Sequence, residues 1–162
     1  MRHPKTVAIL EVMWDWKQKT SAANPNYLAQ APRCFHISPE NHSGRVLYKL
    51  LGHDNLLVTN ACPQLVTSPK GKGNPDAQWL ADSLNEITFS VLLVCGKVAQ
   101  ETYDRVGSVP GDYRTIYLPH PAARQWTKRD MVLASGMVQE GKADLHLQFR
   151  RGRLRAKQLI PF

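Results

Sequence analysis

Short apolar runs rich in β-branched residues alternate with amphipathic stretches along most of this chain. Residues 7–12 form the first run, 56–59 the second, 89–95 the third and 115–118 the fourth. Runs apolar at nearly every position predict strands buried on both faces of a sheet. Between the first two, Val46, Leu47, Leu50 and Leu51 recur at helical spacing, after Ser43-Gly44 and before Gly52. That pattern predicts a helix which Gly52 ends. Ala77, Leu80, Ala81, Leu84 and Ile87 give a second helix one apolar face, with Asn74 placed to cap it and Pro75 to open it. Gly96 marks the turn from the third strand into a helix over 97–104. Thr127-Lys128-Arg129-Asp130 resembles a helix-opening box, with Asp where Glu is usual, and the helix runs from there toward Gly141. Strands alternating with helices predict an α/β fold in which a parallel sheet carries helices on both faces. Pattern alone leaves the strand order open.

Two stretches break the alternation. Asn24-Pro25, Pro32 and Pro39 predict an extended loop over residues 20–40, and 68–74 reads as a basic, flexible loop. No internal repeat is visible. A length of 162 residues fits one domain, 1–162, with a basic segment at about 148–162.

Composition narrows the class. An apolar content of 43% excludes a disordered chain, and the apolar runs fall far short of a membrane span. The first five residues lack the apolar core of a signal peptide, so a cytoplasmic protein with no membrane partner is expected. The 3 cysteines, Cys34, Cys62 and Cys95, show no CxxC spacing, and an odd count argues against a disulfide framework. No HExxH or paired-histidine spacing points to a metal, and neither a Walker lysine nor a GxSxG turn is present. The formal net charge of +8 favours polyanionic partners, nucleic acid first among them. Much of that charge lies in Arg150, Arg151, Arg153, Arg155 and Lys157. It reads either as a solvated helix or disordered tail, or as phosphate contacts.

Two strand ends carry candidate chemistry. Val58-Thr59-Asn60-Ala61-Cys62-Pro63 closes the second run, and Leu118-Pro119-His120-Pro121-Ala122-Ala123-Arg124 closes the fourth. If the strands are parallel, Asn60 and His120 open into one crevice. An amide offers one donor and one acceptor edge, enough to grip a pyrimidine's O4 and N3–H. The plain reading of Asn60 is a turn cap. His120, held between two prolines, suits a donor to a base oxygen as charge builds there. Its plain reading is a histidine that fixes its own loop.

These two segments, with Val91-Leu92-Leu93-Val94-Cys95-Gly96-Lys97-Val98-Ala99 between them, resemble the uracil-DNA glycosylase superfamily over about residues 6–126. The resemblance implies a three-layer α/β/α fold around a four-stranded parallel sheet of order 2-1-3-4. It implies a monofunctional DNA glycosylase that flips uracil or another modified pyrimidine out of DNA and hydrolyses its glycosidic bond, in repair or in defence against modified viral DNA. DNA, double- or single-stranded, is then the partner, the protein is a monomer, and no cofactor or metal is expected. Three thiols cannot supply the four-cysteine cluster of some relatives.

His120 would stabilise the departing base and Asn60 would read it. The water-orienting group falls in 11–16, where the family's glycine-rich form is absent; Asp15 is the first candidate there and Glu11 the second. Trp14, Trp16 and Phe35 are stacking candidates. Ser43, Lys70 and Lys72 are candidate phosphate contacts, and Arg124, Gln125 and Trp126 would fill the space the base vacates. The rival expectation is a catalytically inactive nucleic-acid-binding module on the same fold. A hydrolase of free nucleosides is more distant.

Overall fold

A computed structural model describes residues 5–14, 32–66, 73–107, 109–123, 126–141 and 144–157. Its centre is a six-stranded sheet. The strands are β1 (Thr6–Leu10), β3 (Leu56–Asn60), β5 (Val91–Cys95), β6 (Arg114–Leu118), β7 (Leu145–Arg150) and β8 (Arg153–Lys157), lying in the order β3-β1-β5-β6-β7-β8. The first five run parallel, and β8 returns antiparallel to β7. Two further two-residue strands, β2 (Met13–Trp14) and β4 (Leu65–Val66), pair in parallel beyond the ends of β1 and β3.

The helices are α1 (His42–Leu51), α2 (Ala77–Asn85), α3 (Lys97–Val106) and α4 (Lys128–Glu140). Side-chain alternation sorts them into layers. Ala8, Leu10, Val58, Leu93, Cys95, Ile116 and Leu118 face one way and pack with Leu47 and Leu50 of α1 and Ala134 and Val138 of α4. Val7, Ile9, Leu92 and Val94 face the other way, with Leu80 and Leu84 of α2 and Ala99 of α3. The fold is therefore α/β with helices on both faces. Crossovers β1–α1–β3, β3–α2–β5 and β5–α3–β6 share one hand. The last, β6–α4–β7, moves in the direction of the two before it but over the opposite face, so its hand is reversed. The strong right-handed preference of such units makes this crossover the exception, and it leaves the sheet through the His120 loop.

The helix ends follow local chemistry. Asn41 caps α1, its side-chain oxygen accepting the N–H groups of Ser43 and Gly44, and Gly52 ends the helix in the left-handed region at φ 72. Thr127 and Asp130 form a reciprocal capping box on α4, as the sequence suggests. Ser135 and Gln139 of α4 donate to the last carbonyls of α1, which locks the two helices together.

Four expectations need correction. The sheet has six strands, not four. The basic C-terminal segment forms a hairpin, because Leu145, Leu147 and Phe149 alternate with His146, Gln148 and Arg150 at strand period. The cap of α2 is Asp76, whose carboxylate takes the Trp79 N–H at 3.0 Å, while the Asn74 N–H is spent on Gln64 Oε1. Trp14 lies in the short strand β2, not in an open loop. Most of 20–40 and of the basic loop 68–74 falls outside the described residues, as do Asp15, Trp16, Lys70, Lys72, Arg124 and Gln125.

Candidate functional site at the carboxyl edge of the sheet

In a parallel sheet wound on both faces, every strand ends, and every following helix begins, at the carboxyl edge. Asn60 is the last residue of β3, and backbone bonds continue the β1–β3 pairing past it. The Ala61 N–H donates to the Leu10 carbonyl at 2.8 Å, and the Cys62 N–H to the Glu11 carbonyl at 2.9 Å. Behind these, the Asp76 N–H donates to the Ala61 carbonyl at 2.9 Å. Gly73 closes on the same strand end, where a Cβ would sit 2.6 Å from Cys62 Cβ. The backbone at Asn60 is thus fixed before its side chain is considered.

That side chain is 1% exposed, and neither its Oδ1 nor its Nδ2 has a hydrogen-bond partner among the described residues. Leaving a buried amide unsatisfied costs about 1–3 kcal/mol per group, and with no described backbone N–H bonded to its oxygen Asn60 does not act as a turn cap there. The Thr59 hydroxyl, on the opposite face by alternation, is also buried without a partner.

His120 lies two residues past β6. Its Nδ1 accepts the Ala122 N–H at 3.0 Å. In the neutral ring the proton is then on Nε2, which becomes a donor. Its carbonyl accepts the Ala123 N–H at 2.9 Å and the Trp126 indole N–H at 3.0 Å. Gly96, at φ 90, lets the β5–α3 turn approach: a Cβ there would be 3.2 Å from His120 Cβ. Burial, with His42 at the first turn of α1 adding repulsion, holds the His120 pKa below the ordinary histidine value. The ring is therefore neutral near pH 7.

The register relates the two groups. The row Thr59–Ile9–Val94–Tyr117 crosses the four strands, and Asn60 follows by one residue and His120 by three. Asn60 continues the alternation of Leu56 and Val58, and His120 that of Ile116 and Leu118, all toward the α1/α4 face. Three strand spacings, about 14 Å, separate the two strands, room for a flat ring held from both ends.

Other candidates have different surroundings. Phe35 bridges to Val58 along the free edge of β3 and packs, half-buried, on the α1-side core. Ser43 gives its backbone N–H to the Asn41 cap, so that donor is already in use. Trp126 is half-buried, bonded to the His120 loop and edge-on to Phe149 at 5.1 Å. Glu11 is half-buried at the end of β1, and its carboxylate lies close enough to Cys62 to reinforce the effect of burial, the thiol being pushed up to about 11. Burial likewise raises Cys34 to about 11 and Cys95 further, so none is a thiolate at neutral pH. His42 and Gly96 are the site neighbours whose roles sequence reading missed. The signal was available: a helix that follows a parallel strand must start at the carboxyl edge.

A cavity of about 440 Å³ lies at the opposite, amino edge, between Thr6, Gly52, Ser90, Arg114 and Gln139. Arg114 there donates to the Val138 and Met137 carbonyls and ends α4. Among the described residues, no cluster of acidic, histidine and cysteine side chains is arranged to hold a metal, and no helix is long and apolar enough to cross a membrane. No protein-family profile and no curated protein sequence matches the chain.

Proposed function

We propose that this protein is a DNA glycosylase of the uracil-DNA glycosylase superfamily, which excises uracil or another modified pyrimidine by hydrolysis and leaves an abasic site. The observation that carries the reading is Asn60: a buried amide with both polar atoms unpaired, at the edge where α/β folds bind ligands. A pyrimidine's O4 and N3–H complement it. The neutral His120 ring, donating from Nε2, is matched to an oxygen that gains negative charge as the C–N bond breaks. The first four long strands, in the order second, first, third, fourth, also agree with what the resemblance implies.

Bond cleavage then proceeds without a covalent enzyme intermediate. Unstacking delivers the base to the crevice. Asn60 fixes the ring in its plane, and His120 stabilises the departing anion. A carboxylate of the segment after β1, Asp15 or Glu11, orients water toward the sugar carbon as the oxocarbenium character develops.

The test is release of free base, read by mass, from duplex and single-stranded DNAs carrying a panel of modified pyrimidines, with alkaline strand cleavage as the second readout. Release that disappears in both Asn60→Ala and His120→Ala supports the reading. Wild-type protein that binds these DNAs and releases nothing from any of them sinks it, and leaves the inactive binding module in its place.

A further inference from the structure

The β7–β8 hairpin carries its charge in an order that folding does not require. Its apolar face, Leu147, Phe149 and Leu154, packs toward Trp126 and the α1/α4 core. Its other face holds the cross-strand pairs Gln148–Arg155 and Arg150–Arg153. Arg150, Arg151, Arg153 and Arg155 are exposed, and none has an acidic partner among the described residues. Helices α2 and α3, on that side of the sheet, pack over β1, β3 and β5 rather than over the hairpin.

Two features oppose stability. Arg150 and Arg153 face each other directly, at about 5 Å between Cβ atoms, where like charges repel. Arg151 shares the two-residue turn with Gly152, both at positive φ, 53 and 74. That turn favours Asn-Gly, and an arginine in the left-handed region is strained by about 1–2 kcal/mol. Charged residues do blunt edge strands against aggregation, but that purpose needs neither a facing pair nor an arginine at the tip.

The tip also lies in a meaningful place. Because β7 is parallel to β6, the turn sits at the carboxyl edge. Tyr117 is in register with His146, so Arg150 stands four residues past that row and His120 three. One to two strand spacings, about 5–10 Å, separate their strands laterally, with Arg150 on the α2/α3 face and His120 continuing the α1/α4 face, so a bound strand reaches both only by passing over the carboxyl edge. Trp126 ties the His120 loop to the hairpin, through its bond to the His120 carbonyl and its edge contact with Phe149. Along each strand the same-face positions recur every about 6.8 Å, roughly two phosphate rises of a nucleic-acid strand.

We infer that the β7–β8 hairpin is a clamp for the nucleic-acid backbone, with Arg150, Arg151, Arg153 and Arg155 contacting phosphates beside the base held at the carboxyl edge. This rests on the nucleic-acid part of the proposed function and not on its chemistry. A two-stranded ribbon fits the major groove of a duplex, and the contacts position the strand without reading sequence.

The test uses a labelled duplex of ordinary bases only, so that excision plays no part. Binding is titrated against salt for wild type, for Arg150→Gln/Arg153→Gln/Arg155→Gln, and for Lys5→Gln/Lys49→Gln/Arg105→Gln, which removes equal charge at the amino edge. The hairpin variant should lose at least about tenfold in affinity, and its log–log salt slope should become shallower by about 2–3. The amino-edge variant should lose less than about threefold. Thermal melting of the hairpin variant should be unchanged or higher, because a repulsion is removed. Equal losses in both triples, or no loss in the hairpin triple, overturns the clamp, as does unchanged duplex affinity with lost binding to anionic phospholipid vesicles. If the hairpin effect holds while no DNA yields free base, the glycosylase reading has failed and the clamp stands.

Discussion

Asn60→Leu separates a binding amide from a structural one. The substitution keeps the branching at the γ carbon, and so the approximate shape, and removes two buried polar atoms that have no partner. An unsatisfied buried group costs about 1–3 kcal/mol, whereas an apolar group of the same shape carries no such cost. Leucine is somewhat bulkier, and overpacking takes back part of the gain. The net expectation is a stabilisation of about 1–2 kcal/mol. For a chain of this size that raises the melting temperature by about 2–8 °C. Excision of base should meanwhile fall by at least about 100-fold, because a leucine cannot pair with either edge of a pyrimidine. The assay is paired: calorimetric melting without DNA, and base release at saturating DNA. A lower melting temperature with excision intact would falsify the argument, since it would mean that the amide is satisfied within the protein and that its burial serves the fold.

His120 and its neighbours give four further expectations. His120→Ala should reduce excision by about 100- to 1000-fold with little change in DNA affinity; comparable loss in affinity and in rate would point to a binding role instead. The folded-state pKa of His120 is below its unfolded value, so the unfolded chain binds more protons between the two and stability rises with pH there. The contribution is complete above the ordinary histidine range and is lost as pH falls through the lowered folded value. Excision should be flat from neutral pH upward and decline on the acid side of the histidine range, and His42→Gln should move that decline toward higher pH; a decline that does not move would remove His42 from the site. Trp126→Phe keeps an aromatic contact with Phe149 but loses the indole N–H bond, which should cost about 1 kcal/mol of stability and slow excision at unchanged duplex affinity. Gly96→Ala forces a Cβ to 3.2 Å from His120 in a backbone region that alanine avoids. It should cost about 1–2 kcal/mol and lower the rate more than the melting temperature implies.

Much of the architecture is legible in the chain because burial on both faces leaves an unmistakable signature. The runs at β1, β3, β5 and β6 carry apolar residues at consecutive positions, and only a strand covered from two sides can use them. Gly52 and the Thr127–Asp130 box mark helix ends through local bonds that need no tertiary context. The hairpin is harder to see. Leu145, Leu147, Phe149 and Leu154 alternate correctly, but five arginines and lysines in the same stretch suggest a solvated tail when charge is read before period. The cap of α2 is harder to read because Asn74 and Asp76 both precede the helix, and only the bond from the Trp79 N–H to the Asp76 carboxylate shows which one closes it. Asn60 and His120 were legible as strand-end polar residues. Their being on one face was not, since it requires the register of four strands that are distant in sequence. The place of His42 at the carboxyl edge was open to inference from the start of α1, but its proximity to His120 also depends on the sheet order.

The two edges of the sheet differ in how their polar groups are treated. At the amino edge a cavity of about 440 Å³ lies beside Arg114 and Gln139, yet Arg114 is committed to the last carbonyls of α4 and Gln139 to those of α1. Those groups answer a folding need, satisfying helix ends that would otherwise be unpaired. At the carboxyl edge the backbone is equally well bonded, through Ala61, Cys62 and Ala123. The side chains are not: Asn60 is sealed from water with both atoms idle, and His120 spends Nδ1 on Ala122 while Nε2 remains the ring's donor. A fold that satisfies its main chain at a given edge and leaves a costly amide unsatisfied there, three strands from a neutral imidazole, has given up stability at that edge. On the proposed function the compensation comes from a ligand whose polar groups complement one donor and one acceptor in a single plane.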